Sequence, residues 1–168
     1  MSLHKSIDDF VSRMAAAGVP IRPENNASAL EAIEARLPRR MSSSFESLLS
    51  RYSFPSFDVC GVTLFAWDSD WKATEYSGAS SGAKNTLSEL LLPSGFMQIG
   101  RPDTGDFDAI CLDLNSGGGQ RLVQVDHEEI LCNCRVRVTA ERWPSFLGLV
   151  DMVLSGADCK VYFEAPDE

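Results

Sequence analysis

The stretch Val59-Cys60-Gly61-Val62-Thr63-Leu64-Phe65-Ala66 marks the point where the chain changes character. Before it, apolar residues recur at three- and four-residue spacing. After it, they come in short runs rich in β-branched and aromatic residues, punctuated by Gly, Pro and Asp. The stretch reads as the first strand of a sheet. Upstream, Leu3, Ile7, Phe10, Val11 and Met14 share one helical face, with Asp8 and Asp9 in the first turn, until Gly18 and Pro20 stop the helix. Asn26 or Ser28 caps a second helix carrying Leu30, Ile33 and Leu37, which Pro38 ends. A third, over roughly 41–52, carries Met41, Phe45, Leu48, Leu49 and Tyr52. Downstream, 68–86 is a polar loop with a Gly/Ser-rich run at 77–82, and Trp67 and Trp71 flank its start. Strands are predicted over 96–100, 107–114, 121–126 and 135–139, with Gly117-Gly118-Gly119 as a hairpin tip. A helix over about 141–154 and a short strand at 160–163 close the chain. This order gives an α+β single domain over 1–168, core about 30–154: a mostly antiparallel sheet packed against N-terminal and C-terminal helices.

The composition excludes several functions. The 168 residues carry 15 basic and 24 acidic side chains, a net charge of −9, which is wrong for phosphate neutralisation, so no nucleic-acid partner is expected. The excess acid is in the second half: residues 85–168 hold six bases against fourteen acids, and 101–129 alone holds two against seven. No apolar run is long enough to span a bilayer, and Ser2-Leu3-His4-Lys5-Ser6-Ile7-Asp8-Asp9 is too polar for a secretory signal. The expectation is a cytoplasmic protein whose five cysteines, at 60, 111, 132, 134 and 159, are reduced, with Cys60 and Cys111 as small buried hydrophobes. Cys132 and Cys134, two apart on a strand, would face the same side, but without CxxC spacing no metal is expected.

The chemistry-bearing residues gather between 100 and 129. Gly100 and Gly105 bracket a turn in which glycine permits positive φ. Asp103 and Asp106 can accept backbone N–H groups there, leaving Asp106 and Asp108 at the start of a strand. Asp113, mid-strand, must face solvent or find a partner. Asp126-His127-Glu128 ends another strand, and His127 is a candidate acid/base or pH-sensitive contact. A hydrolase built on His127 would need a nucleophile elbow, and the GxSxG string at Gly78-Ala79-Ser80-Ser81-Gly82 lies in the polar Gly/Ser-rich loop, without the strand-to-helix setting such an elbow requires. No helix with a phosphate-loop motif follows the glycine run, and the carboxylates lack calcium-loop spacing. No cofactor is expected. Arg135 and Arg137 share one strand face, with Val136 and Val138 on the other, as in a one-sided sheet.

Four pieces together resemble the SMI1/KNR4 (SUKH) superfamily. Ile33-Glu34-Ala35-Arg36-Leu37-Pro38 with Phe45-Glu46-Ser47-Leu48-Leu49 is similar to its opening helix, Leu-Pro corner and next helix. Gln98-Ile99-Gly100-Arg101-Pro102-Asp103-Thr104-Gly105-Asp106 followed by Ile110-Cys111-Leu112-Asp113 resembles its glycine-bracketed turn and succeeding strand. Val125-Asp126-His127-Glu128 is similar to its Asp-His-Glu strand end, and Trp143-Pro144-Ser145-Phe146-Leu147-Gly148-Leu149-Val150 to its closing helix. Leu37, Pro38, Gly100, Gly105, Asp106 and His127 carry the motifs. The resemblance implies a non-catalytic protein-binding domain: a bacterial immunity protein that neutralises a polymorphic toxin, or a regulatory adaptor without one. The acidic second half fits a basic, nuclease-like toxin as partner, with carboxylates standing where phosphates would. Charge and expected exposure nominate Asp103, Asp106, Asp108, Asp126, Glu128 and Glu129, with Trp71, as the contact set.

Overall fold

The computed structural model describes residues 2–68, 86–117, 120–165 and 167. Trp71, the 77–82 run and the glycines at 118 and 119 lie outside them. Helix α1 (Leu3–Ala16) begins one turn earlier than its acids suggest, because Ser2 accepts the Lys5 N–H as its cap. Its stripe of Ile7, Phe10, Val11 and Met14 is buried. Strand β1 (Arg22–Pro23) pairs with β2 (Tyr52–Ser53) in a small two-stranded sheet. Between them lie α2 (Ala27–Glu34) and α3 (Ser43–Arg51). Asn26 sits at the N-cap of α2, but its buried amide turns away and donates to the carbonyls of Leu49 and Tyr52, fastening α2 to the end of α3.

The deciding stretch 59–66 folds as a hairpin, not a single strand. Strands β3 (Phe57–Val59) and β4 (Val62–Leu64) meet at Cys60-Gly61, both with positive φ (51° and 81°), the backbone a two-residue hairpin loop of the primed type needs. Short helix α4 (Thr86–Leu91) leads to β5 (Phe96–Pro102), β6 (Ala109–Asp113) and β7 (Leu122–Val125). Then come α5 (His127–Asn133), β8 (Val138–Trp143), α6 (Phe146–Leu154) and β9 (Val161–Tyr162). The seven-stranded sheet runs β8-β7-β6-β5-β4-β3-β9, antiparallel at every pairing. The chain is thus α+β, and no helix among the described residues is long and apolar enough to cross a membrane.

The sheet is covered on both faces. On one, Phe10, Phe45 and Phe146 from α1, α3 and α6 stack edge to face over Leu64, Ile99, Ile110 and Leu112. Trp67, fully buried in the same layer, donates its indole N–H to Leu49. On the other face, Leu91 of α4 and Ile130 of α5 pack on Ala109, Cys111, Val123 and Val125. Every residue of β6 is therefore buried. The one-sided expectation fails for β6 and β7 and holds nowhere on β8, whose first four residues are exposed on both faces. Two register shifts against β7 bulge β8 and blunt its outer edge.

Three further local expectations change. Gly100 lies within β5 without positive φ; a Cβ there would meet the Thr63 carbonyl oxygen at 2.2 Å, so glycine is required by strand approach. Gly105 does take φ +83° in the turn. Cys132 and Cys134 sit at the end of a helix, exposed as free thiols, whereas Cys60 is bonded to Cys159 across 99 positions of chain. Their Cα atoms, 4.7 Å apart, lie within the range a disulfide spans.

Candidate functional site: an acidic sheet end around Phe107

Antiparallel pairing sorts the loops into two ends. Val59↔Val62, Val62↔Pro102, Ala109↔Val125, Val125↔Val138 and Val59↔Val161 place one set together. That set is the β3–β4 turn, the β5–β6 turn, the β7–α5 junction and the segments leading into β8 and β9. Asp103, Asp106, Asp108, Asp126 and Glu128 all fall at this end, although they span 26 positions of sequence. The Asp103 N–H donates to the Gly61 carbonyl at 3.1 Å, docking the β5–β6 turn onto the hairpin.

His127 ties the turn to the helix. Asp108 stands just before β6 and is buried; one carboxylate oxygen accepts the His127 backbone N–H at 3.0 Å and lies 2.7 Å from its Nδ1. The other oxygen accepts the Gln124 amide at 2.8 Å. Burial by itself raises a carboxyl pKa, but the donors from Gln124 and His127 outweigh it and hold Asp108 below the ordinary range. In return the Asp108 hydrogen bond, then the charges of Asp108, Asp106 and Glu128, raise His127 against its own partial burial. Asp106 Oδ1 stands 3.6 Å from the same Nδ1.

Asp126, Glu128 and Glu129 are placed by a helix that periodicity does not announce. Asp126 Oδ1 accepts the N–H groups of Glu128 and Glu129, so Asp126-His127-Glu128 is a capped helix start and not a strand end. The Asp-x-Glu-Glu pattern followed by Ile130 is the signal that could have revealed it. Glu129 is half-buried and accepts from Asn133.

The nominated residues therefore divide. Asp103, Asp106 and Glu128 are exposed, Asp126 and Glu129 are half-buried caps and helix formers, Asp108 is internal, and Trp71 lies outside the described residues. Among the described residues, no lysine or arginine forms an ion pair with Asp103, Asp106, Asp126, Glu128 or Glu129. Arg135 and Arg137 are exposed beside them: Arg135 N–H bonds the Glu129 carbonyl, and the Arg137 carbonyl accepts from Asp126 N–H. Residue reading missed Phe107. It is 65 % exposed, sits between Asp106 and Asp108, and has its ring edge-on to His127 at 6.0 Å. A large aromatic left in water beside carboxylates is a candidate contact residue.

Asp106, Asp108 and His127 bring ligand atoms within 4.8 Å of one another, a donor set that a divalent cation could use. The same atoms are already engaged with each other, Gln124 and the His127 backbone. Two open depressions, about 470 and 500 Å³, lie elsewhere and neither takes in His127. One is lined by Glu24, Asn25, Arg51 and Tyr52, the other by Asp9, Arg13 and Leu154. Neither protein-family models nor curated proteins give a match to this chain.

Proposed function

We propose that this chain is a non-catalytic protein-binding domain that captures a cationic protein on the acidic sheet end, with Phe107 as anchor and Asp103, Asp106 and Glu128 as steering charges. The observation that carries the reading is the exposed aromatic set among carboxylates that no lysine or arginine pairs with among the described residues. Such a surface speeds encounter with a basic partner, and the anchor slows its departure. Taken with the SUKH resemblance, the partner is a cognate toxin with a basic, nucleic-acid-facing surface, and this chain is its immunity protein. A regulatory adaptor without a toxin would use the same surface.

His127 on Asp108 has the orientation of an acid/base dyad, the feature that favours a hydrolase. Among the described residues no serine or cysteine side chain is hydrogen-bonded to His127. The test is affinity capture from the native cell with wild type and with Asp106→Lys/Glu128→Lys as baits. A basic protein held by wild type, lost by the variant, and associating at least tenfold more slowly at 500 mM than at 50 mM salt sustains the proposal. An association rate indifferent to both salt and charge reversal overturns it.

A further inference from the structure

Strand β9 is the weakest piece of the large sheet. It has two residues, pairs only as Asp58↔Tyr162 and Val59↔Val161, and forms one edge. One more backbone bond, from Cys60 N–H to the Lys160 carbonyl, lies at its start. A two-residue edge strand does not hold itself in place. Val161 and Phe163 give it partial packing on the core, and the covalent bond from Cys60 to Cys159 stands next to the first pair. Cys60 occupies one of the two positive-φ positions of the β3–β4 turn, so the bond ties the segment before β9 to the tip of that hairpin.

We infer that Cys60–Cys159 is a redox latch: oxidised, it seals the β3 edge with the chain's own C-terminal strand, and reduced, it frees that strand and bares the edge of Phe57–Val59. Both cysteines are half-buried residues at the margin of the core, not sealed inside it. A thiolate of the glutathione class attacks one sulfur, and the other leaves as a thiolate and takes up a proton. A second small thiolate then attacks the small-molecule sulfur of the mixed disulfide, and the protein cysteine leaves as a thiolate and takes up a proton. Two protein thiols and one small-molecule disulfide result, so two electrons pass from the reductant to the latch. Oxidation by the small-molecule disulfide runs the same steps backwards. Cys111 cannot intervene: full burial, then the nearby Asp113 charge, push its thiol far above the usual cysteine range. In a reducing cytosol the open form prevails; an oxidising compartment or stress closes it.

The inference does not rest on the proposed partner. Its test uses the full chain carrying Cys132→Ser and Cys134→Ser, which removes the two exposed thiols. Amide hydrogen exchange is compared after equilibration with oxidised and with reduced glutathione. Reduction is expected to speed exchange at least tenfold in 57–62 and 158–164 while leaving 109–113 and 122–125 unchanged. Tryptic cleavage after Lys160 accelerates in parallel. Adding Cys159→Ala reproduces the open pattern without reductant. Equal exchange in both forms overturns the latch, as does acceleration spread through 109–113, which marks a global staple. Failure of the Cys60–Cys159 bond to form in oxidised glutathione, read by mass, overturns it as well.

Discussion

The two ends of β6 carry buried carboxylates with different companions. At the leading end Asp108 is satisfied by a histidine and a glutamine amide. At the trailing end Asp113, 3 % exposed, accepts from Arg121 Nε at 2.9 Å and from the Asn115 N–H at 3.0 Å, and Arg121 reaches on to Glu141. A guanidinium keeps its charge at any physiological pH, whereas an imidazole does not. The trailing end is therefore a closed, charge-compensated clasp. The leading end holds a titratable imidazole, with Asp106 beside it, and the exposed carboxylates of Asp103 and Glu128, and among the described residues no lysine or arginine pairs with these acids.

The largest effect is expected from Asp108→Ala. It strands the Gln124 amide and the His127 backbone N–H together and costs about 2–4 kcal/mol, read as a lowered urea midpoint with unchanged slope. Asp113→Ala is expected to cost less, about 1–2 kcal/mol, because the 40 % exposed Arg121 side chain regains solvent and keeps Glu141. An equal loss at the two ends would erase the distinction.

Acidity sharpens it further. The raised His127 pKa means that its stabilisation is complete below the ordinary histidine value and is lost as pH rises through the folded-state value. Wild type should lose urea resistance between pH 6 and pH 8.5 relative to His127→Gln; parallel profiles would refute the coupling. Asp108 has the opposite sign: its contribution is present above the ordinary carboxylate range and disappears as pH falls through its lowered value. The smallest stability effect belongs to Phe107→Ala, within about 0.5 kcal/mol by thermal melt, because its ring is already in water. The same variant is expected to weaken partner capture at least tenfold, and unchanged capture would remove Phe107 from the site.

Much of the fold was legible because it depends on short-range pattern. The Ile7–Phe10–Met14 stripe and the alternation of Ile110 and Leu112 with Cys111 name their elements without help. What failed was local grammar under tertiary control. Cys60-Gly61 looks continuous with its flanking β-formers, but a residue in left-handed backbone turns the chain there. Leu87 to Leu92 is too short for a helical period to declare itself, and α5 hides behind a histidine.

For the candidate site, the acidic bias of 101–129 is a property of composition, and the sequence by itself determined it, together with the α+β class and the strand-rich second half. Tertiary structure alone decided which carboxylates face water. Asp106 and Asp108 are two apart, yet one is exposed and the other buried, because Gln124 and His127 arrive from strands and helices distant in sequence. It alone also brought Cys159 to Cys60 and left Phe107 in solvent. The reason is that burial and partner choice are set by long-range register, whereas charge and periodicity are written residue by residue.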